Sequence, residues 1–284
     1  MSSDNNSPPV VAVFAQGAMG AGLAGRLSAH GAQVITCLEG RGAASRARAQ
    51  AAGMTDVPFE AMAQADLFLS IAPPSEALGI ARRLAPALTA LNRPALYVDC
   101  NAVSPETVRH VAQVVEAAGA GFVDASIIGQ PPAEGYDPAI YASGPEVEGF
   151  ERLGGFGLRI KRLEGPVGAA SALKMSYAGI TKGFAAIVSM MTLAAARSGA
   201  AEALRAELAE SQPGFLKTYG RQTGGMFPKA YRWVAEMQEI ADFAGADAEA
   251  KALWEAVSRF YARLAEDYEG EQVEVGVLSG FGRG

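Results

Sequence analysis

The fold is decided by the stretch Val10-Val11-Ala12-Val13-Phe14-Ala15-Gln16-Gly17-Ala18-Met19-Gly20, which runs directly into an Ala- and Leu-rich helical pattern. A five-residue apolar strand, a glycine turn and a helix form the first β-α turn of a dinucleotide-binding fold, here with Ala15 in place of the first glycine. The backbone from Gly17 through Ala18 and Met19 to Gly20 would hold a pyrophosphate at the helix N-terminus. The alternative is a tight strand-to-helix turn without a ligand.

The chain of 284 residues is long enough for two domains. In the first part, short apolar runs alternate with helical patterns, which predicts a doubly wound, mostly parallel sheet in an α/β Rossmann domain over residues 1–165. Residues 166–284 predict an all-α domain, which a long helix over about 167–196 joins to the first. The predicted strands are Val10–Ala15, Gln33–Leu38, Asp66–Ile71, Ala95–Cys100, Gly121–Ala125, Ala139–Ala142 and Leu158–Leu163.

Three local patterns give further expectations. Ser75 and Ser104 each stand where a helix N-cap is expected, and Pro105 follows Ser104 at the first helical position. Gly220–Gly225 looks like a flexible segment, and the acidic, then glycine-rich stretch Asp267–Gly284 looks like a mobile tail.

Composition excludes several classes of function. Lys plus Arg total 24 against 30 for Asp plus Glu, a net charge of −6, which argues against a nucleic-acid partner. The long apolar stretch contains Lys174 and Lys182, so a buried soluble helix is expected there and no membrane partner. The polar segment Met1–Pro9 has no secretory pattern, and a cytoplasmic location follows by default. No cluster of His, Cys and carboxylates has metal-ligand spacing, so no metal is expected.

Two opposite signals follow the second predicted strand, where the adenosine ribose is bound in such folds. A carboxylate at Glu39 would hydrogen-bond ribose hydroxyls and select NAD, whereas Arg41 could pair with the 2′-phosphate of NADP. We expect NADP, with NAD as the alternative. A solvated surface pair of Glu39 and Arg41 without a cofactor role is the third interpretation.

The next two strands also end in candidate residues for cofactor binding. The third predicted strand runs into Ala72-Pro73, and the fourth into Asn101. Because the carboxyl ends of parallel strands face the cofactor crevice, we expect the backbone at Ala72 and Pro73 and the amide of Asn101 near the nicotinamide.

Taken in order, these motifs resemble the β-hydroxyacid dehydrogenases, the family of 3-hydroxyisobutyrate and 6-phosphogluconate dehydrogenases. The resemblance rests on the glycine turn with Met19, on Pro73-Pro74, on the segments Asp99–Pro105, Asp124–Gly129 and Gly168–Gly183, and on Arg232–Met237. It covers nearly the whole chain and is strongest to a branch with a 6-phosphogluconate-dehydrogenase-like C-terminal domain. It implies an NAD(P)-dependent oxidoreductase of small β-hydroxy acid-like substrates and a homodimer.

The resemblance also implies a catalytic residue. The family's lysine early in the long helix is its general acid/base, and the matching residue here is Lys174. Hydride transfer at a carbinol carbon needs such a group, since a side chain must take the hydroxyl proton in oxidation and return it in reduction.

The chain departs from the family pattern in its substrate-binding residues. Four residues after the lysine the family carries Asn, but here Ala178 stands there, so the hydroxyls of Tyr177 or Thr181 would have to substitute. Where relatives have Ser-Gly-Gly, this chain has Ile128-Gly129-Gln130. We therefore expect Gly129, with Gln130 or Ser126, to contact the substrate, and Arg232, Lys229 or Arg221 to hold an anionic group. Two rival functions remain: reduction of a C=N bond, as in imine reductases, and a non-catalytic NAD(P)-binding protein.

Overall fold

The computed structural model describes residues 8–283, so the segment Met1–Ser7, on which the cytoplasmic expectation depends, lies outside the described residues. The chain divides into two compact units, 1–174 and 175–284. The first unit is an α/β Rossmann-type domain and the second is helical, as the sequence predicts.

Within the described part of the first unit, eight strands form one sheet in the order β3-β2-β1-β4-β5-β6-β7-β8. All neighbouring strands are parallel except β6 and β7. The strands are β1 (Val10–Phe14), β2 (Gln33–Thr36), β3 (Thr55–Asp56), β4 (Leu67–Ser70), β5 (Leu96–Asp99), β6 (Gly121–Ile128), β7 (Ala139–Ser143) and β8 (Ile160–Arg162). Each predicted strand is present, with bounds shifted by up to three residues, whereas the two-residue β3 was not predicted.

Both faces of the sheet are covered, as the near-continuous apolar runs of its strands require. Val11 and Val13 of β1 belong to one hydrophobic cluster and Ala12 and Phe14 to the other, so alternate residues of the same strand point into two layers. The helices of this unit are α1 (Ala18–Ala29), α2 (Ala43–Ala51), α3 (Ala77–Thr89), α4 (Pro105–Ala117) and α5 (Val147–Glu151).

One predicted N-cap is confirmed and the other is wrong. Ser104 precedes α4, and its Oγ accepts a hydrogen bond from the Thr107 backbone N–H at 3.2 Å. Ser75 lies inside a 3₁₀ turn, Pro74–Glu76, and Glu76 precedes α3 without any side-chain cap. Pro73 and Pro74 fix the backbone φ angles at the start of this turn, so Ser75 lies within the turn and not at an N-cap position.

The long helix α6 (Ala169–Arg197) contains the boundary between the two units. By length and composition it could cross a membrane, but half of its most apolar window is buried inside the protein. Lys182, which interrupts that window, forms an ion pair with Glu236 and lies over the Trp233 ring. These contacts are those of a packed core helix.

The second unit continues with helices only, as far as it is described. They are α7 (Ala201–Ser211), α8 (Pro213–Met226), α9 (Ala230–Phe243), α10 (Ala248–Glu269) and α11 (Val273–Arg283). Two expectations are therefore wrong. Gly220–Gly225 lies inside α8, and most of Asp267–Gly284 is ordered as the end of α10 and as α11, whose Leu278 and Phe281 are buried. Apolar residues at helical spacing decide the structure of this terminal stretch despite its glycines.

Candidate active site

The turn after β1 has the geometry of an anion-binding helix N-terminus. Gly17 is the N-cap of α1, without a side-chain cap, and the first turn of this helix contains no acidic residue. A Cβ added at Gly17 would meet nothing within 4 Å, whereas one at Gly20 would collide with the Ala15 carbonyl oxygen. Gly17 and Ala18 are exposed, Met19 is half-buried and Gly20 is buried. The turn therefore leaves backbone amides accessible to a phosphate group.

Glu39 and Arg41, the two residues after β2 that would favour different cofactors, have different partners in the structure. Glu39 is paired through its Oε2 with Arg83 at 3.0 Å. Arg41 lies with its guanidinium 4.9 Å from the Phe14 ring centroid, next to the glycine turn, and forms no ion pair within residues 8–283. Two further arginines shape this segment, since Arg46 donates to the carbonyls of Leu38 and Arg41 and Arg48 donates to that of Gln16. The positive charge of Arg41 is thus available to a ligand.

The ends of β4 and β5 are tied together by Asn101. Its Oδ1 accepts from the Ala72 N–H at 2.6 Å, and its Nδ2 donates to Ser70 Oγ at 3.0 Å and to Asp99 Oδ2 at 2.9 Å. Both amide protons are therefore used inside the protein, and Asn101 is buried. It can act on a nicotinamide only through the backbone that it holds, at Ala72 and the exposed Pro73 that follows.

Two buried carboxylates lie side by side on β5 and β6. Asp99 is the register partner of Asp124. Burial raises the pKa of Asp99 to about 7, and the neighbouring Asp124 charge adds to the rise, while the hydrogen bonds from Asn101 oppose it. Burial also raises the pKa of Asp124, against the hydrogen bonds that it accepts.

Asp124 holds the beginning of α6. Its carboxylate accepts hydrogen bonds from the N–H groups of Gly168 and Ser171 and from the hydroxyls of Ser143 and Ser171, at 2.8–3.1 Å. An anion is favourable at a helix N-terminus, and here it fixes the helix from its first turn. Asp124 therefore orders this region by accepting backbone N–H hydrogen bonds.

Lys174 is the last residue of the first unit and lies on the second turn of α6. Its Nζ donates to the carbonyl of Ile127, near the end of β6, at 2.5 Å, and its side chain is half-buried. Because β1, β4, β5 and β6 are neighbours in the sheet, their carboxyl ends bring the glycine turn, Ala72 and the Ile127 carbonyl to one edge. The ammonium of Lys174 lies at that edge.

The substrate candidates after β6 are in different situations. Ser126 is buried, and its hydroxyl has no hydrogen-bond partner within the described residues. Gly129 adopts a φ of +137°, and the Gln130 N–H donates to the Tyr136 hydroxyl at 3.2 Å. Gly129 and Gln130 are exposed. Tyr136 was not among the residues predicted from the sequence. The pair Pro131-Pro132, which lies between Gln130 and Tyr136, is the sequence signal that could have pointed to this loop.

The remaining candidates lie in the helical unit. Tyr177 is exposed, and the Thr181 hydroxyl donates to the Tyr177 carbonyl of its own helix at 2.9 Å. Arg232 is exposed on α9, without a hydrogen bond or ion pair to any described residue. The substrate roles of these three residues stay predictions. Over residues 8–283, no group of three His, Cys, Asp or Glu side chains could hold a metal ion.

Two family models match the chain. Residues 10–154 match the NAD binding domain of 6-phosphogluconate dehydrogenase, and residues 195–264 match a domain of unknown function, DUF1932. A sequence relative from Methanothermus fervidus, an uncharacterized 28.5 kDa protein encoded in the 7S RNA 5′ region, is 27% identical over 214 residues, which are 74% of this chain and 81% of the relative.

Two solved structures extend the similarity over the whole chain. The conserved protein MTH1747, of unknown function and described as similar in structure to 3-hydroxyacid dehydrogenases, is 31% identical, with a TM-score of 0.70 and coverage of 92% of this chain and 97% of that one. The 3-hydroxyisobutyrate dehydrogenase of Mycobacterium tuberculosis, solved with L-serine, is 20% identical, with a TM-score of 0.70 and coverage of 98% and 100%. The second match shows a common fold.

Proposed function

The chain belongs to the family that carries the NAD-binding domain of 6-phosphogluconate dehydrogenase, and from that premise we propose that it is an NADP-dependent oxidoreductase of small β-hydroxy acids. The observation that carries the proposal is the position of the Lys174 ammonium, hydrogen-bonded to the carboxyl end of β6, in the same sheet edge as the open glycine turn. Similarity to proteins named 3-hydroxyacid and 3-hydroxyisobutyrate dehydrogenases supports the substrate class.

The residues present fit a nicotinamide dinucleotide. The free amides after Gly17 suit the pyrophosphate, and the tight contact of Gly20 with Ala15 fixes the turn that presents them. When bound, the nicotinamide would accept or supply a hydride at the carbinol carbon. The backbone at Ala72 and Pro73, held by Asn101, would border its nicotinamide end.

Lys174 would move the proton. In oxidation its amine takes the hydroxyl proton of the substrate, and in reduction its ammonium returns a proton to the carbonyl oxygen. The hydrogen bond to the Ile127 carbonyl orients Nζ, and the Asp124 carboxylate fixes the helix that carries it. Both contacts limit how far the amine can move from the reacting oxygen.

The Lys174→Ala variant tests this role. We expect kcat to fall by about 10²–10⁴-fold, the usual contribution of general acid–base catalysis, with unchanged affinity for NADPH. Turnover is measured with a panel of hydroxy acids and their oxo acids, and Lys161→Ala, at an exposed lysine on β8, is the control. Normal turnover by Lys174→Ala would contradict the mechanism, and turnover of cyclic imines alone would favour C=N reduction instead.

Preference for NADP rests on Arg41 and Glu39. The Glu39 carboxylate is paired with Arg83, so it competes less for ribose hydroxyls, and Arg41 is free to pair with a 2′-phosphate. We expect NADPH to bind at least tenfold more tightly than NADH, about 1.4 kcal/mol, in a fluorescence titration at one ionic strength. Arg41→Ala should remove this preference and leave NADH binding unchanged.

The control for that titration is Arg152→Ala, at an exposed arginine that donates to the Gly149 carbonyl. Tighter binding of NADH by the parent would make Glu39 the selector, and binding of neither cofactor would end the oxidoreductase proposal.

We further propose that the protein is a cytoplasmic homodimer. Support for the dimer comes from apolar side chains that α6 leaves exposed, among them Ile180 and Met191.

A further inference from the structure

The loop between β6 and β7, Gly129–Pro138, is attached to α1 by hydrogen bonds and by a close packing contact. Arg26 of α1 donates to Asp137 Oδ1 at 2.7 Å and to the Ala133 carbonyl at 2.8 Å. Gly22 lets Pro132 approach closely, since a Cβ at position 22 would lie 2.8 Å from the Pro132 Cδ. The loop is therefore fixed to the helix that begins at the glycine turn.

Inside this loop, Tyr136 is folded back over the end of β6. Ala133 and Tyr136 exchange both backbone hydrogen bonds, at 3.0 and 3.1 Å, around Gly135 with its φ of +70°. The Tyr136 hydroxyl then lies against Gly129, where an added Cβ would collide with it, and accepts the Gln130 N–H at 3.2 Å. The position of this hydroxyl is set by backbone contacts on both sides.

Three hydrogen-bond donors in this region are candidates for contact with a substrate, of which one is buried and one already donates to Tyr136. The Ser126 hydroxyl is buried in the sheet. The Gln130 N–H is taken by Tyr136. Tyr136 itself accepts in that bond, so its own O–H proton remains to be donated, and no described residue accepts it. The side chain is 41% exposed.

The Tyr136 hydroxyl and the Lys174 ammonium are attached to the same short piece of backbone. Lys174 Nζ donates to the Ile127 carbonyl, and Tyr136 binds the Gln130 N–H. Four residues span at most about 10 Å between the first and last Cα atoms, a length comparable to that of a small hydroxy acid with its hydrogen-bond partners.

We propose that Tyr136 determines specificity for an acidic substrate by donating a hydrogen bond from its hydroxyl to the substrate carboxylate. The inference rests on the proposed function and adds the residue that recognises the acid group. In this proposal Tyr136 takes the carboxylate contact that the sequence led us to expect from Gln130 or Ser126. Because the loop is fixed before the substrate arrives, little conformational entropy is lost when the bond forms.

The test uses binding, with 3-hydroxypropanoate and its methyl ester as probes of protein saturated with NADPH, the reduced cofactor, which cannot oxidise either probe. Calorimetric titrations are compared for the parent, Tyr136→Phe and the control Tyr268→Phe, at a tyrosine of α10. We expect Tyr136→Phe to bind the acid at least tenfold more weakly, because a hydrogen bond to a charged group is lost, and to bind the ester as the parent does. The control should match the parent with both probes.

A purely structural role for Tyr136 predicts a different result, since a displaced loop would weaken the acid and the ester alike. Equal weakening, acid binding as strong as that of the parent, or a parent that does not bind the acid would each overturn the inference. The proposed function fails on other readings: no binding of NADPH or NADH, or turnover that does not depend on Lys174. The two failures are therefore distinguishable.

Discussion

Two glycines three residues apart in the turn after β1 differ in what an added methyl group would meet. Gly17 has φ −70° and ψ 178°, which any residue can adopt, and open space at its Cβ position. Gly20 has the Ala15 carbonyl at that position. Close packing therefore requires glycine at position 20, whereas at position 17 the space beside the backbone is open.

Alanine substitutions at these glycines separate the two roles. We expect Gly17→Ala to lower stability by no more than about 1 kcal/mol, the cost of alanine in place of an N-cap glycine, but to weaken NADPH binding at least tenfold, because its methyl group would stand where the pyrophosphate approaches. Gly20→Ala should lower stability by about 1–3 kcal/mol, as overpacking does, and weaken binding as well. Melting curves and NADPH titrations of both variants check this. Unchanged NADPH affinity in Gly17→Ala would contradict the binding role of the turn.

At the same scale, the sequence predicts the types of site residue better than their contacts. Local pattern and resemblance are enough to name Lys174 and the glycine turn as candidates. The sequence does not predict that the Asn101 amide is fully hydrogen-bonded inside the protein, because its partners include Ala72, 29 residues away, and the neighbouring Asp99. Tyr136 was missed because its position comes from a loop closed by Arg26, 107 residues before Ala133.

Among the helices, the glycines of α8 show why composition misleads. Gly220 faces α11, and a Cβ there would lie 2.5 Å from the Gly282 carbonyl oxygen, whereas one at Gly224 would meet nothing within 4 Å. Phe281 packs nearby against Tyr219, with ring centroids 6.1 Å apart. The glycine that indicated a flexible segment is in fact a point of close approach between two helices, a distinction that depends on a partner 62 residues away.

A matched pair of substitutions in α8 tests this explanation. Gly220→Ala should lower the free energy of unfolding of the helical unit by about 1–3 kcal/mol, since α11 must move away from its new methyl group. Gly224→Ala should be neutral or stabilising by up to about 1 kcal/mol, as expected for an exposed glycine in a helix. Urea unfolding followed by circular dichroism measures both. Similar effects of the two substitutions would mean that helix propensity, and not the contact with α11, dominates.

Strands and helices differ in how well their bounds could be predicted. The central strands are continuous apolar runs between turn residues, so β1, β4 and β5 are found within one residue at each end. Helix termini depend on which group reaches the free N–H groups. Ser104 does so for α4, whereas Ser75, which also follows a strand but comes after Pro73 and Pro74, lies within a 3₁₀ turn. Propensity alone does not distinguish the two serines.

At the scale of the whole molecule, α6 carries an apolar stripe that one copy of the chain leaves exposed. We define the α6 stripe as Tyr177, Ile180, Ile187 and Met191, which are 50–74% exposed and lie on one face of the helix. No charged residue occurs between Lys182 and Arg197. A second copy is the occupant that suits such a face, because two identical uncharged stripes can pack on each other without burying a charge.

A homodimer through the α6 stripe predicts a specific response to charge. The parent should sediment as a dimer, and the double variant Ile187→Glu, Met191→Glu as a folded monomer, since each copy would otherwise bury two carboxylates against the same groups of its partner. Val273→Glu, at an exposed valine in the first turn of α11, is the control and should remain dimeric. A stable dimer buries about 800 Å² on each partner, so the stripe would form only the centre of the interface. A monomeric parent, or a double variant that stays dimeric, would contradict this interface. If the parent instead sedimented with lipid vesicles, the partner of the α6 stripe would be a membrane.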